Sequence, residues 1–584
     1  MTNKEIARIL YEISLYLEME GDPFRPRAYE KAAHAIEAAV EPVSETYARG
    51  GLKALQQIPG VGRSMAEKIE ELLTTGRLRY YEELKKKIPV DVIGLTAIEG
   101  VGPKMVRALY ETLGITNLDE LEAAARAGKI RRLPHFGEKT EQKILKGLQF
   151  LKQHAQRFLL GEIWPLVEEI AQRLRELKEV QRVEIAGSIR RRKETVGDAD
   201  LLVISKRPAP IMEFFVSMPE VMHVYSHGET RSSVRLKNGL DMDLRVVPEK
   251  SFGAALNYFT GSKDHNVALR RIAQEMGLKL NEYGLFRGTR FIAGRTEEEI
   301  YEALGLSYIP PELRENRGEI EAAQEGRLPR LIPYGALRGD LQVQTNWTDG
   351  ANSIEEMVES ARAYGLQYIA ITDHTRDLAM TRGSDEKKLL EQMAAIDRVN
   401  RRLRGFRVLK GAEVNIRKDG SLDIDDAVLA RLDVVGIAVH THFNMSREEM
   451  TARIIRAMRN PHADILFHPT GRVLQKREPY DVDIEEIIKV AKETGTILEI
   501  DAFPERLDLR DEHIRLAVQA GVKLVIDSDA HNRHHFSVLE YGVAQARRGW
   551  ARAEDVLNTL PCEAFLRQLK DGRATRRTRQ RGKR

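Results

Sequence analysis

Cysteine is almost missing from this sequence: Cys562 is the single one in 584 residues. That excludes a disulfide within the chain and any metal site built on thiolates. The sequence also lacks an apolar run long enough to span a membrane. Its first stretch, MTNKEIARILYEISLYLEMEGD, mixes acids and bases along an amphipathic helix instead of forming a signal peptide's apolar block. A cytoplasmic protein is the expectation. Aromatics are sparse at 6%. A strong charge of one sign is missing too. The net charge is +4, and the seven Arg and Lys after Gly572 more than account for it, leaving the rest of the chain at −3. Bulk charge therefore gives no support for nucleic-acid binding, and any basic groove must be local. The segment 572–584, with Arg573, Arg576, Arg577, Arg579, Arg581, Lys583 and Arg584, has too little apolar surface to offset the entropy of ordering. It is expected to be a disordered tail with a weak, salt-sensitive attraction to phosphates.

What is present is organised in blocks, since a chain of this length needs several cores. Residues 1 to about 150 carry apolar positions at three- and four-residue spacing, broken by Gly and Pro, and predict helices throughout. From about 160 to 318, helical stretches alternate with short β-branched runs such as VEIAGSI, ADLLVIS and LDMDLRVV, which predict a mixed sheet. The polar segment 315–334, with Gly and Pro, reads as a linker. Beyond it, YIAITD, LDVVGIAVH, DILFHP, TILEID and KLVIDSD alternate with helices, the rhythm of a β/α barrel whose site lies at the strand ends.

The helical block repeats itself as IPGVGRSMAEKI (58–69), IEGVGPKMVRAL (98–109) and LPHFGEKTEQKI (133–144). Gly60 and Gly62, Gly100 and Gly102, and Gly137 permit tight turns that bare backbone N–H groups at a helix start. Such amides bind phosphate without reading bases. These repeats resemble helix-hairpin-helix motifs, the third degenerate at His135 and Phe136; ordinary glycine turns in a bundle are the alternative. Residues 22–33, DPFRPRAYEKAA, together with Lys68, are similar to the lyase domain of polymerase beta and its relatives. That resemblance implies that Lys68 forms a Schiff base with an abasic sugar, near Tyr29, Lys31, Arg25 and Arg27. A phosphate-facing lysine is the plainer reading.

Gly187-Ser188-Ile189-Arg190-Arg191-Arg192, followed by Val196-Gly197-Asp198-Ala199-Asp200, places two carboxylates on one face of a strand. Asp243 would arrive from a neighbouring strand, and three converging carboxylates suit a pair of hard divalent cations, Mg²⁺ or Mn²⁺. Gly187, Ser188, Arg191 and Gly197 can hold a triphosphate by amide, hydroxyl and guanidinium. An Asp-x-Asp alone is weak; with Gly-Ser and Arg-Arg at this distance it indicates a nucleotidyltransferase. Tyr258-Phe259-Thr260-Gly261-Ser262 with Asn266 and Arg270 closely resembles the nucleotide-facing helix of family X DNA polymerases. The resemblance, over residues 1–318, implies that Tyr258 and Phe259 lie beside the sugar. It also implies that Asn266 approaches the incoming base and that Arg270 faces the template. Lys263 stands where polymerase beta has an acid.

The last block resembles the PHP (polymerase and histidinol phosphatase) domain of bacterial family X polymerases, at Asp349, His374, Glu413, His440, His468, Asp529 and His531. By that resemblance these hold two or three Mn²⁺ or Zn²⁺ ions and support 3′-to-5′ exonuclease and abasic-site endonuclease activity. The family pattern Asp-Leu-His-x-His reads here Asp340-Leu341-Gln342-Val343-Gln344. Amide oxygen is a poor transition-metal ligand beside imidazole. By the family's arrangement the two glutamine positions join Glu413 and Asp529 at one ion, which is therefore expected to bind weakly, whereas the sites of Glu413, His440 and His468 and of Asp349, His374 and His531 keep their ligands. A weak or lost nuclease follows.

The domains expected are a lyase-like DNA-binding domain (1–90), a fingers-type domain (91–150), a nucleotidyltransferase palm (151–253) and a thumb (254–318). A linker (319–335), a PHP barrel (336–571) and the tail complete the chain. The predicted function is template-directed gap filling in DNA repair on primer-template DNA with deoxynucleoside triphosphates, by a monomer in the bacterial nucleoid. The alternatives are a 3′-end-processing nuclease that uses the polymerase core to hold DNA, and a non-catalytic scaffold.

Overall fold

The computed structural model describes residues 1–584 except 2, 38, 40–41, 59, 99, 135, 155–156, 379–380 and 582–584. His135 of the third repeat lies outside the described residues. Two compact units result: Met1–Ala155 with Gln475–Glu478, and the remainder.

The first unit is helical. Its two clear hairpins turn at Gly60 and Gly100, whose φ of 81° and 82° suits glycine. Gly62 and Gly102 then cap the helices Arg63–Thr75 and Pro103–Leu113 in extended conformation. Pro103 fits the first turn because its missing N–H would be unpaired there in any case. Gly76 and Gly114 close both helices in the left-handed region. Buried Ile6, Leu10, Ile13, Ile69, Leu72, Val106 and Leu109 share one core, the stripes that the three- and four-residue spacing produces.

The second unit begins with a five-stranded sheet in the order Arg182–Ile185, Asp198–Ile204, Asp241–Val247, Arg231–Leu236, Val221–His227. The pair Asp198–Ile204 and Asp241–Val247 is parallel, and the other pairs are antiparallel. Helices Phe252–Thr260 and Lys263–Glu275 and a three-stranded sheet (Lys279–Asn281, Gly284–Arg287, Arg290–Ala293) follow. Seven parallel strands then run in chain order from Gly339–Val343 to Leu524–Asp527. The ring closes through a parallel bridge between Val343 and Ala530. Alternate strand residues serve two cores, Ile369 and Ile371 on one and Tyr368 and Ala370 on the other.

Two sequence expectations are corrected. Residues 319–335 are not a free linker: Glu319–Gln324 is a helix whose Ile320 and Ala323 join Leu331 in the core around Leu269 and Tyr301. Its polar appearance misleads because Glu319 is itself buried and paired with His265 at 2.7 Å. Nor does order stop at Gly572, since the last helix runs Cys562–Arg581 and Arg573 pairs with Asp464 of the barrel at 2.5 Å. A specific buried acid offsets the entropy that composition alone cannot.

Candidate active site

Asp198 opens its strand and Asp200 follows on the same face, in register with Asp243 of the parallel neighbour. The turn at Gly187 is pressed against them: Gly187 has φ of 69°, and a Cβ there would lie 2.9 Å from Asp200 Oδ2. Burial first, then the charges of Asp198 and Asp243, push the Asp200 carboxyl up to about 7. Three crowded oxygen donors with so little internal compensation fit a hard divalent cation. Arg231 Nη2 donates to Asp243 Oδ2 at 2.9 Å. It comes from the adjoining strand, and no motif announces it.

Ser188 lies in the short helix Gly187–Arg190, and Gly197 directly precedes Asp198. Arg191 Nε donates to Glu315 Oε1 at 3.0 Å and Nη1 to the Thr260 carbonyl at 2.7 Å. Tyr258 and Phe259 meet edge-on at 5.1 Å, and the Arg245 guanidinium lies 4.7 Å from the Phe259 ring. Asn266 Nδ2 donates to the carbonyls of Tyr258 at 2.7 Å and Gly261 at 3.2 Å. At Gly261 a Cβ would fall 2.5 Å from Asn266 Oδ1, so glycine is what lets that amide close on the turn. Arg270 is half-buried on the same helix as Asn266.

In the helical unit, Lys68 Nζ donates to Ser64 Oγ at 2.9 Å and lies 6.0 and 5.8 Å from the rings of Tyr29 and Tyr80. Those rings stack at 6.3 Å, and Arg25 Nη1 reaches the Tyr80 hydroxyl at 3.3 Å. The Lys31 side chain covers the first hairpin, its Cγ 2.9 Å from where a Gly60 Cβ would be. Tyr80 escaped the sequence reading because only folding brings it to Lys68.

At the barrel mouth Glu413 is the hub. Its carboxylate takes His440 Nε2 at 2.9 Å and His468 Nε2 at 2.8 Å, and His374 Nδ1 stands 3.4 Å away without a hydrogen bond to the described residues. His374 Nε2 and His531 Nε2 each stand 3.5 Å from Asp349 Oδ2, so His374 joins two ligand groups into one cluster. Outer contacts aim the rings: His440 Nδ1 meets Asn415 Oδ1 at 2.7 Å, and His531 Nδ1 the Asp529 carbonyl at 2.8 Å. Burial opposes ionisation of Glu413, but His374 and His440 hold its carboxyl well below the usual range. Burial likewise opposes the charge on His531, yet Asp529 and Asp349 raise it to about 10. Carboxylate and imidazole ligands brought this close fit a borderline divalent cation.

The position expected from Gln342, Gln344, Glu413 and Asp529 does not fit one. Gln344 Nε2 donates to Glu413 Oε2 at 2.9 Å. The Arg506 guanidinium stands 3.3 Å from Asp501 and 3.5 Å from Asp529. Both amide atoms of buried Gln342 lack a hydrogen-bond partner among the described residues. N–H donors thus face the very carboxylates that an ion would need. Deeper in the barrel, burial pushes the carboxyls of Glu499, Asp501 and Asp527 well above their usual range.

Fold and site together define a two-centre enzyme, a nucleotidyltransferase palm joined to a barrel of the PHP type. The family description helix-hairpin-helix domain matches residues 1–78, the tandem helix-hairpin-helix 92–149, the DNA polymerase beta thumb 255–315 and the PHP domain 340–502. The chain is 37% identical over 576 residues, 97% of its length, to the whole of the DNA polymerase/3′-5′ exonuclease PolX of Bacillus subtilis (strain 168). It is 26% identical over 349 residues, 54% of its length and 56% of the other, to DNA polymerase lambda of Rattus norvegicus. The chain belongs to the PolX family, the family X DNA polymerases that carry a C-terminal PHP domain.

Proposed function

We propose that this chain is a template-directed DNA polymerase that fills short gaps in repair, working at Asp198, Asp200 and Asp243. The observation that carries the reading is the parallel register of Asp200 with Asp243 beneath the Gly187–Ser188 loop. Divalent ions bound there, Mg²⁺ or Mn²⁺, would supply the charge that lowers the pKa of a primer 3′-hydroxyl and offsets that of the departing pyrophosphate. Asp198 and Asp200 face the triphosphate, and Asp243 faces the primer end. Ser188, Gly187 and Gly197 offer hydroxyl and backbone amides to phosphate oxygens, and Arg191 adds a guanidinium. Tyr258 and Phe259 bound the sugar, Asn266 approaches the base and Arg270 the template. The hairpins at Gly60, Gly62, Gly100, Gly102 and Gly137 hold the DNA backbone by their amides.

The barrel, with Mn²⁺ or Zn²⁺ at Asp349, His374, Glu413, His440, His468 and His531, retains at most a slow 3′-to-5′ exonuclease. Asp529 is engaged by Arg506 instead. Lys68, beside the Tyr29 and Tyr80 rings, supplies 5′-deoxyribose phosphate lyase activity. The enzyme works as a monomer in the nucleoid.

Extension of a one-nucleotide gap tests the polymerase reading: wild type extends with Mg²⁺ or Mn²⁺ and Asp243→Ala does not. No extension by wild type with either metal would sink it. For the lyase, borohydride trapping of an abasic substrate should vanish in Lys68→Ala while gap filling persists. Trapping that survives the substitution removes Lys68 from that role.

A further inference from the structure

Residues 191–194 lie between the Gly187–Ser188 loop and the carboxylates of Asp198 and Asp200, and the barrel holds them. Arg548 Nη1 donates to the Arg191 carbonyl at 2.8 Å and to Glu315 Oε1 at 3.1 Å, while Nη2 donates to Asp511 Oδ2 at 2.6 Å. Three residues along, Arg472 of the barrel pairs with Glu194 at 2.8 Å. The same Glu315 Oε1 accepts from Arg191 Nε at 3.0 Å. One carboxylate is therefore shared between a guanidinium of the palm and one of the barrel.

The side chains of Arg548, Glu315, Arg191 and Asp511 are 3%, 11%, 12% and 12% exposed, so salt screens their charges little. Burial opposes the ionisation of Glu315, but Arg191 and Arg548 hold its carboxyl below the usual range. Asp511 is held at about 2, again against burial, by Arg548 and Arg317. With Nε on Glu315 and Nη1 on the Thr260 carbonyl, Arg191 keeps Nη2 without a hydrogen bond to the described residues.

We propose that Arg548, a barrel residue, is a positioning residue of the nucleotide site. It clamps the backbone of Arg191 and shares Glu315, so that Nη2 of Arg191 is presented to the triphosphate. Asp511 in turn fixes Arg548. A carboxylate that faces two guanidinium groups claims each less completely than it would claim one. Without Arg548, Glu315 is left with Arg191 at 3.0 Å and Lys193 at 3.9 Å, its pair with Arg191 tightens, the Arg191 carbonyl loses its donor, and the triphosphate must compete for the guanidinium. This rests on the reading that Arg191 holds the triphosphate.

The test is single-nucleotide gap filling by the full chain, with KM for the nucleotide, kcat and the Kd for gapped DNA measured separately. Arg548→Ala should raise the nucleotide KM about 5- to 20-fold, with kcat and DNA affinity within about twofold. Asp511→Asn, which keeps the volume, should move KM the same way by less. Arg548→Lys should fall between wild type and Arg548→Ala, because one ammonium cannot serve Asp511, Glu315 and the carbonyl together. Arg191→Ala should raise KM at least as far, and adding Arg548→Ala to it should change little more. If Arg191→Ala raises KM but the Arg548 and Asp511 variants leave it unchanged, the positioning role is overturned and that of Arg191 stands. If Arg191→Ala leaves KM unchanged, the triphosphate role of Arg191 fails and the inference falls with it. Equal losses in kcat, nucleotide KM and DNA affinity would mark a merely structural residue and overturn the proposal. Should Arg548→Ala not fold, Asp511→Asn and Arg548→Lys carry the same comparison.

Discussion

The palm opens its two parallel strands on carboxylates and the barrel closes several of its strands on them, and they treat those charges in opposite ways. In the palm, Asp198, Asp200 and Asp243 crowd together, and Asp200 is pushed up to about 7 by burial and by its two neighbours. Protein cations reach only the edge of that group, at Asp243, where Arg231 bonds at 2.9 Å and Arg245 stands 3.7 Å off. In the barrel, the position beside Asp529 is already served by Arg506 and by the amide of Gln344. The contrast teaches that acids alone do not specify a metal site. What matters is whether the protein has left those acids without N–H donors of its own.

The largest effect that could break this contrast lies in the palm. Asp200→Asn should lower extension by roughly a thousandfold or more, with gapped-DNA affinity little changed. Extension within about tenfold of wild type would mean that the crowded carboxylates are not the reacting centre. Next comes the barrel. Restoring Gln342→His with Gln344→His should add close to one bound Mn²⁺ per chain by elemental analysis and raise primer digestion about 10- to 100-fold. Digestion that rises without added metal would break the contrast. So would vigorous digestion by wild type that His468→Ala abolishes. A metal count that stays flat until Arg506→Gln is added would sharpen it, by making the guanidinium the excluding group.

How much of this was legible in the sequence follows from distance along the chain. Asp198 and Asp200 are two residues apart, so strand periodicity alone puts them on one face. Glycines at 60, 62, 100 and 102 state their own turn geometry. Asp349, His374, Glu413, His440, His468 and His531 were found by their resemblance to the PHP pattern, most of them near strand ends, but spacing could not say that His374 would touch both Glu413 and Asp349. Arg231, Arg506 and Arg548 were missed for one reason: each acts on a carboxylate brought near by sheet pairing or loop packing, and arginines are too common for identity to flag them. The linker reading failed where Glu319 looks solvated but is buried against His265.

A third carboxylate sharpens the contrast from the other side, because the protein satisfies it fully. Glu297 receives Arg190 through two bonds of 2.8 and 2.7 Å, the Tyr308 hydroxyl at 3.2 Å, and Arg314. Burial opposes its charge, yet Arg314 and Arg190 hold its carboxyl down to about 2. Glu297→Gln leaves two guanidinium groups short of a counter-charge and should cost about 3 to 5 kcal/mol in urea unfolding. That loss should be the same in Mg²⁺ and in chelator, since no metal belongs there. A depressed folded-state pKa means that the unfolded chain binds the proton first. The stabilisation is therefore whole above its ordinary 4.5 and fades as pH falls from there toward 2. Over that window wild type should lose stability faster than Glu297→Gln. A loss that appears only without metal would undo the distinction between fixed and recruited cations.

The smallest expected effect isolates the distinction best. Asp241 and Asp243 are two residues apart on the strand Asp241–Val247 and share a face, and both are half-exposed. Their partners differ. Asp241 is taken by both arms of Arg235, at 2.8 Å each, in a geometry that fills its two oxygens. Asp243 takes one hydrogen bond from Arg231, with Arg245 standing off at 3.7 Å on the same oxygen, and is in register beside Asp200. A carboxylate already gripped by a fork of its own has nothing left to offer an ion, so Asp241→Asn should leave extension within about threefold and stability within about 1 kcal/mol. The same change at Asp243 should remove extension. Residue type, strand and face are matched, each acid is in register with an aspartate of the next strand, and what differs most is how fully arginine occupies its oxygens. If Asp241→Asn were as damaging as Asp243→Asn, the rule that the protein's own donors decide where a metal can sit would fail at its cleanest test.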